Sequence, residues 1–121
     1  METIVLSIYG NRISSRLDVS EKVMVVTVEN SKIKSKNTLL LNSTDILKKL
    51  DTLLKLKPDV LICGGLTNLC KKMLSNYNIK VIPWIKGNTE YILKLYISGL
   101  LNEKVKNLDR NYKENKSNSI S

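Results

Sequence analysis

The spacing of apolar residues changes near residue 45, and this change restricts the fold more than any other feature of the sequence. Before it, short runs of β-branched and other apolar residues predict three strands, at 3–9, 22–29 and 33–41. After it, helical spacing alternates with short apolar runs: helices at 45–57, 67–77 and 89–101, strands at 59–63 and 79–85. Asn30-Ser31-Lys32 predicts a turn that joins the second and third strands as a hairpin.

This order predicts an α/β fold. The last half consists of strand–helix units, which require parallel strands and right-handed crossovers. Joined to the antiparallel hairpin, they give a mixed five-stranded sheet of order 3-2-1-4-5 with three helices, a three-layer sandwich of ribonuclease H-like type. We expect Ser43 or Thr44 to cap the first helix and Thr67 the second.

The chain has 121 residues, which suits a single domain. We place that domain at 1–102 and predict that 103–121, which is charged and rich in Asn and Ser, forms a disordered tail. No apolar run reaches the roughly 18 residues of a membrane span, and the N-terminus lacks a signal-peptide layout. We therefore expect a cytoplasmic protein that does not engage a membrane.

The absent residue types exclude several kinds of chemistry. The sequence contains no His, so Ser-His-Asp triads, Cys-His pairs and His-bearing metal sites cannot form. It contains two Cys, too few for a four-Cys zinc or iron–sulfur site in one chain. The first predicted strand has no carboxylate, whereas a two-metal nuclease needs several carboxylates that converge at the sheet. The acidic residues thus argue against catalysis by a nuclease of this fold.

The net charge of +9 indicates an attraction to anions, including nucleic acids and anionic small molecules. The lysines are scattered rather than gathered in one block, and no aromatic run suited to base stacking is present, so nucleic acid is a weak expectation. The alternative explanation of the charge is a lysine-rich surface that is simply exposed to solvent and binds no anion.

The candidate site lies where the predicted chain changes direction. The first and fourth predicted strands are parallel neighbours, and ligands of open α/β sheets bind beyond the carboxyl ends of such strands. The loops at this position are 10–18 and 63–67. The first contains Arg12, Ser15 and Arg16, and arginine recognises anions through a planar fork of donors. A salt bridge from these arginines to Asp18 or Glu21 is the alternative.

The second loop contributes Cys63, Gly64 and Gly65. The glycines allow either a close backbone approach with free amides aimed at an anion, or a tight turn with positive φ. Cys63 is a candidate thiolate ligand for a metal, or else a small buried apolar residue. Cys70 falls on the apolar stripe of the second helix, and core packing is its better interpretation.

Three segments, 13–33, 59–82 and 87–101, resemble the dinitrogenase iron–molybdenum cofactor biosynthesis family, in particular its NifX/NafY-like cofactor-binding domain. The resemblance covers about residues 1–102 and consists of a Ser-x-Arg loop before the second strand, a Gly turn after the fourth, and a Tyr-x-x-Gly-Leu end to the last helix. A Phe-Gly-Arg continuation common in that family is replaced here by Leu17-Asp18-Val19.

The resemblance implies a non-enzymatic carrier of an anionic metal–sulfur cluster, of the iron–sulfur or molybdenum-containing kind, with a role related to nitrogen fixation. Ser15-Arg16 and Gly64-Gly65 would line the cluster crevice, and a cofactor-assembly protein would be the partner. Combined with the charge argument, Arg12 and Arg16 become the expected anion contacts and Cys63 the expected metal ligand. The alternative is a nucleic-acid or protein-binding module that uses the basic surface; a thiol redox enzyme is a more distant one.

Overall fold

A computed structural model of the chain describes residues 1–101, in which a mixed sheet separates two layers of helix. The strands are β1 (Glu2–Tyr9), β2 (Arg12–Ile13), β3 (Lys22–Glu29), β4 (Lys32–Leu40), β5 (Val60–Ile62) and β6 (Lys80–Ile82). The helices are α1 (Ile46–Lys55), α2 (Asn68–Ser75) and α3 (Thr89–Ile97). The predicted α/β class is confirmed, and the predicted tail at 103–121 lies outside the described residues.

The sheet has the order β4-β3-β1-β5-β6, with β2 paired to β1 beside this path. β1 pairs antiparallel with β3 and parallel with β5, and β5 pairs parallel with β6. The predicted order of five strands is therefore confirmed, but the predicted number is wrong. The sixth strand, β2, lies in the stretch predicted as a loop, where Ile8 pairs with Ile13 and Tyr9 with Arg12.

The core lies on both faces of the sheet because the side chains of β1 alternate between two apolar clusters. Ile4, Leu6 and Ile8 pack in the cluster that contains Ile92 and Leu93 of α3. Val5 packs in the cluster that α1 and α2 cover, which includes Leu50, Leu53, Cys70 and Leu74. Complete burial from Ile4 to Leu6 explains why β1 is a continuous apolar run instead of an alternating one.

Local signals in the sequence place most of the element ends. Asn30 and Ser31 have φ values of 53° and 63°, as a tight turn between β3 and β4 requires. Thr67 caps α2 as predicted, since its side chain accepts a hydrogen bond from the Cys70 amide. The prediction for α1 is wrong by one residue: the side chain of Asp45 caps it by accepting from the Leu47 amide. A carboxylate at this end also interacts favourably with the helix dipole.

Helical spacing in the sequence places Leu47, Leu69, Tyr77 and Leu100 on the apolar stripes of the three helices, yet all four are exposed. Leu69 has 64% of its surface exposed, because it lies on the outer side of α2. Leu100 is 56% exposed because α3 ends at Ile97 instead of continuing to 101, and Leu101 is buried in its place. The described residues include no helix long and apolar enough to cross a membrane.

Candidate functional site

The predicted site lies at the centre of the sheet, beyond the carboxyl ends of β1 and β5, but its two loops are joined by backbone pairing. The Gly65 amide donates to the Ser15 carbonyl at 2.7 Å, and the Leu17 amide donates to the Gly65 carbonyl at 2.9 Å. Arg16 and Gly65 thus form a short parallel bridge. The crevice expected between the loops is closed at this point, and a separate cavity lies on each side of the closure.

Position 64 requires a glycine because the backbone of the opposite loop leaves no room for a side chain. A Cβ atom at Gly64 would lie 2.2 Å from the carbonyl oxygen of Ser14 and 2.5 Å from that of Ser15. Neither Gly64 nor Gly65 has a positive φ, so the tight-turn interpretation is wrong and a close approach is what these glycines permit. The expectation of free amides aimed at an anion also fails for Gly65, whose amide already has Ser15 as its acceptor.

Arg12 lies beside a cavity of about 480 Å³ that carries positive charge. Its cationic side chains are Arg12 and Lys86, and hydroxyl groups come from Tyr9 and Ser15, whereas the Ser14 hydroxyl already donates to the Arg16 carbonyl at 3.1 Å. The remaining lining residues are Ile13, Val19 and Gly87, so no acidic residue of the described chain lines it. We call this space the Arg12 cavity; its residue types suit a ligand that is negatively charged.

Backbone pairing between three segments builds the Arg12 cavity. Arg12 forms an antiparallel bridge with Asn88, and the Ile13 amide donates to the Gly87 carbonyl at 3.0 Å. The Asn11 carbonyl accepts from the Thr89 amide at 2.8 Å. These bonds tie β2 to the turn that precedes α3, so that Arg12 and Lys86, far apart in sequence, line the same space.

Arg16 lines a different and smaller cavity, of about 240 Å³, on the other side of the closure. We call it the Trp84 cavity. Its walls are mostly apolar and are formed by Leu17, Gly65, Leu66, Thr67, Cys70 and Trp84, with Arg16 and Asp18 beside them. The Arg16 Nη2 atom lies 2.5 Å from Asp18 Oδ2, so the salt bridge weighed in the sequence analysis is present and offsets the positive charge of Arg16.

The backbone of Trp84 adopts a conformation that is rare for a bulky residue. Its φ is 64°, and its amide donates to the Gly64 carbonyl at 2.9 Å. The indole extends towards Gly65, where an added Cβ would lie 3.3 Å from the Trp84 Cζ3 atom. This sole tryptophan of the sequence is 58% exposed and therefore reports on events at the closure.

Both cysteines are buried. Cys63 is fully buried in the cluster beneath α1 and α2, and Cys70 is 5% exposed at the base of the Trp84 cavity. Among residues 1–101, no three His, Cys, Asp or Glu side chains are grouped to hold a metal ion. The role of Cys63 as a metal ligand stays a prediction, and in this arrangement it requires that the loops above it open.

Lys49 supports the site, although it is not among the site residues predicted from the sequence. This lysine of α1 is 4% exposed, and its Nζ atom donates to the Asp18 carbonyl at 2.8 Å, which fixes the loop that contains Arg16. A signal was present: Lys49 follows Ile46 by three residues and precedes Leu53 by four, so it shares the apolar side of α1.

A third cavity, of about 760 Å³, lies near the start of β1 and has a mixed charge. Glu2, Asp59, Lys80 and Tyr96 are among its lining residues. The Tyr96 hydroxyl donates to Glu2 Oε2 at 2.6 Å. Burial, this hydrogen bond and the nearby carboxylates raise the pKa of Tyr96 above its ordinary value. Two carboxylates make this cavity less suitable for an anion than the Arg12 cavity.

No protein-family description matches the chain, and no curated protein is significantly similar in sequence. Solved structures are similar in fold. The crystal structure of PH0822 aligns with a TM-score of 0.77 at 13% identity and covers 83% of this chain and 92% of that one. A "putative dinitrogenase" from Methanocaldococcus jannaschii aligns with a TM-score of 0.70 at 19% identity, over 83% and 91% of the two chains.

The apo form of the orange protein from Desulfovibrio gigas aligns with a TM-score of 0.69 at 16% identity, over 84% of this chain and 92% of that one. Identities this low show a common fold. The chain therefore shares the fold of these proteins.

Proposed function

We propose that this protein is a non-enzymatic carrier of an anionic metal–sulfur cluster, and that the Arg12 cavity holds the cluster. The observation that carries the proposal is the lining of that cavity, which combines Arg12 and Lys86 with hydroxyl donors and no carboxylate. A volume of about 480 Å³ lies within the range of small-molecule sites. Charge-assisted hydrogen bonds from these groups are the strong kind that bind oxyanions and thioanions.

The proposed binding is non-covalent. The residues that line the Arg12 cavity include no Cys, Asp or Glu, so no side chain there is suited to coordinate a metal. An anion whose metals are already fully coordinated by sulfide needs no ligand from the protein. Charge and hydrogen bonds then supply the affinity, and the ligand can leave intact, as a carrier requires.

The names of two solved structures with a similar fold support the proposed cluster carrier. One is named a "putative dinitrogenase", and the orange protein was determined as an apo form, which denotes a protein without its bound group. The earlier resemblance to the NifX/NafY-like domain points to the same ligand class. On this proposal the protein works in the cytoplasm, in metal-cofactor biosynthesis related to nitrogen fixation, and passes its ligand to a cofactor-assembly protein.

Arg16 and Cys63 do not line the Arg12 cavity and are therefore not the main contacts of the proposed ligand. Arg16 already pairs with Asp18 and lines the Trp84 cavity, whereas Arg12 has no carboxylate within ion-pair distance in the described chain. Ser15 lines the Arg12 cavity and also supplies the carbonyl of the closure, so it links the two sides. Gly64 and Gly65 shape the site without contacting the ligand.

The test is anaerobic incubation of the purified protein with tetrathiomolybdate, or with a preformed iron–sulfur cluster, followed by desalting and elemental analysis. We expect stoichiometric retention that falls about tenfold in Arg12→Ala and in Lys86→Ala, and less in Arg16→Ala, because each of the first two removes an unoffset charge. Lys94→Ala is the matched control, since this exposed lysine of α3 lines none of the three cavities.

Equal retention by Arg12→Ala and the unaltered protein would reject the Arg12 cavity as the site. Absence of retention, together with salt-dependent binding of DNA or RNA that does not need Arg12, would favour the alternative of a nucleic-acid-binding module. Residues 1–101 carry a net charge of +7, which makes that comparison necessary.

A further inference from the structure

β4 is the longest strand of the structure and forms one edge of its sheet. It pairs with β3 on one side, and its other side has no neighbour among the described residues. All nine of its residues are exposed. A strand of this kind presents a row of backbone donors and acceptors, to which another extended chain can be added.

The two halves of this edge differ. The half nearest the hairpin turn contains Lys32, Lys34 and Lys36, and the register shifts between Thr27 and Val28 of β3, so that Lys34 is an extra residue opposite them. Lysines and bulges on an edge prevent indiscriminate strand pairing. The other half, Asn37–Leu40, carries no charge and no bulge, and Leu39 and Leu40 are 37% and 55% exposed.

Two of the three lysines can form an ion pair with a binding partner. Lys36 Nζ lies 2.6 Å from Glu90 Oε1, so its charge is already offset. Lys32 and Lys34 form no ion pair within residues 1–101. A second copy of this chain would bring more lysines to the same edge, and each copy carries +7 over the described residues. Charge therefore opposes self-pairing and favours an acidic occupant.

We propose that the β4 edge binds an extended acidic segment of a partner protein by strand addition. Main-chain hydrogen bonds to the edge supply the affinity, and carboxylates opposite Lys32 and Lys34 supply the selectivity. An apolar side chain of the same segment lies beside Leu40, since Leu39 and Leu40 point to opposite faces of the sheet. The surface is distinct from the Arg12 cavity, which contains no residue of β4.

The experiment uses the full chain and a synthetic nine-residue peptide of alternating glutamate and valine, with binding followed through backbone amide NMR shifts. We expect shifts concentrated at 32–40 and a Kd that rises about tenfold in the Lys32→Glu/Lys34→Glu double variant. The same peptide with an N-methyl group at every residue, which blocks both edges of an extended chain, is the control that cannot pair as a strand. It should cause no shifts, and a lysine–valine peptide should bind at least about tenfold more weakly.

Several outcomes would overturn the proposal. These are shifts that fall outside β4, equal binding of the N-methylated peptide, or a dimer of the protein in sedimentation that the β4 double variant abolishes. Preferential binding of duplex DNA at the same lysines would also overturn it. Arg12→Ala should leave peptide binding unchanged, so failure here and failure of the proposed cluster carrier are separate results.

Discussion

A Cβ atom on Gly64 would overlap the carbonyl oxygen of Ser14, at a separation of 2.2 Å. Both positions are buried, and the obstacle is backbone, which cannot rotate away as a side chain does. This contact sets how closely the two loops of the site approach one another.

We expect Gly64→Ala to lower the free energy of unfolding by about 3 kcal/mol, because the loop that contains Ser14 must move. Gly65→Ala is the matched control. Its added Cβ would meet neighbours at 3.3 Å, so a shift of a few tenths of an ångström accommodates it at a cost of about 1 kcal/mol. Urea denaturation, followed by Trp84 fluorescence, measures both, and equal losses would show that the approach of the loops is not what Gly64 permits.

Lys49→Ala should cost about 1–3 kcal/mol of stability, since it removes a buried charged donor from the Asp18 carbonyl. Lys48→Ala removes the same charge from the neighbouring exposed position and should change stability by about 0.5 kcal/mol or less. Thermal unfolding of the two variants gives the comparison. Similar stabilities would mean that Lys49 contributes nothing specific to the loop.

Burial of Cys63 and Cys70 predicts that both thiols react slowly with Ellman's reagent in the folded protein. Two equivalents should react promptly after denaturation in guanidinium chloride. Rapid reaction of one thiol in the native protein, lost in Cys63→Ser, would show that the loops above this residue open readily. That result would support the predicted role of Cys63 as a metal ligand.

The raised pKa of Tyr96 predicts a loss of stability at high pH. A group whose pKa is higher in the folded state stabilises the fold below its unfolded pKa, about 10 for tyrosine, and loses that contribution as the pH rises further. The unaltered protein should therefore be more stable than Tyr96→Phe at pH 8, and the difference should shrink above pH 10. Urea midpoints across this range test it.

Tyr9→Phe provides the control for the pH series, because the Tyr9 ring is 81% exposed and lies at the opposite end of β1. It should follow the unaltered protein at every pH. A difference between Tyr96→Phe and the unaltered protein that stays constant to pH 11 would contradict the assignment.

Short-range patterns predicted most of the fold. The apolar runs of β1 and β3, the Asn30-Ser31 turn and the Thr67 cap each depend on neighbours within a few residues, and each is observed. β2 was missed because Arg12 and Ile13 have no pattern of their own. They pair with Tyr9 and Ile8 of β1, and they also bond to the turn before α3, which lies more than 70 residues later in the chain.

The sequence predicted the position of the candidate site but not its division into two cavities. The position of the site between β1 and β5 follows from the strand order, and that order could be predicted from the sequence. The separation of Arg12 from Arg16 into two cavities does not, because four residues of loop do not specify the direction of either side chain. The pairing of Arg16 with Gly65 divides the space between them.

The position of β1 at the centre of the sheet has a consequence for synthesis of the chain on the ribosome. β3 and β4 leave the ribosome soon after β1 and can pair with it and with each other at short range. The parallel partner comes much later: the hydrogen bond from Thr3 to Asp59 spans 56 residues. Until β5 emerges, the apolar strand β1 has no neighbour on the side where β5 later pairs. The nascent three-stranded sheet is therefore a natural client for chaperones that bind at the ribosomal tunnel exit.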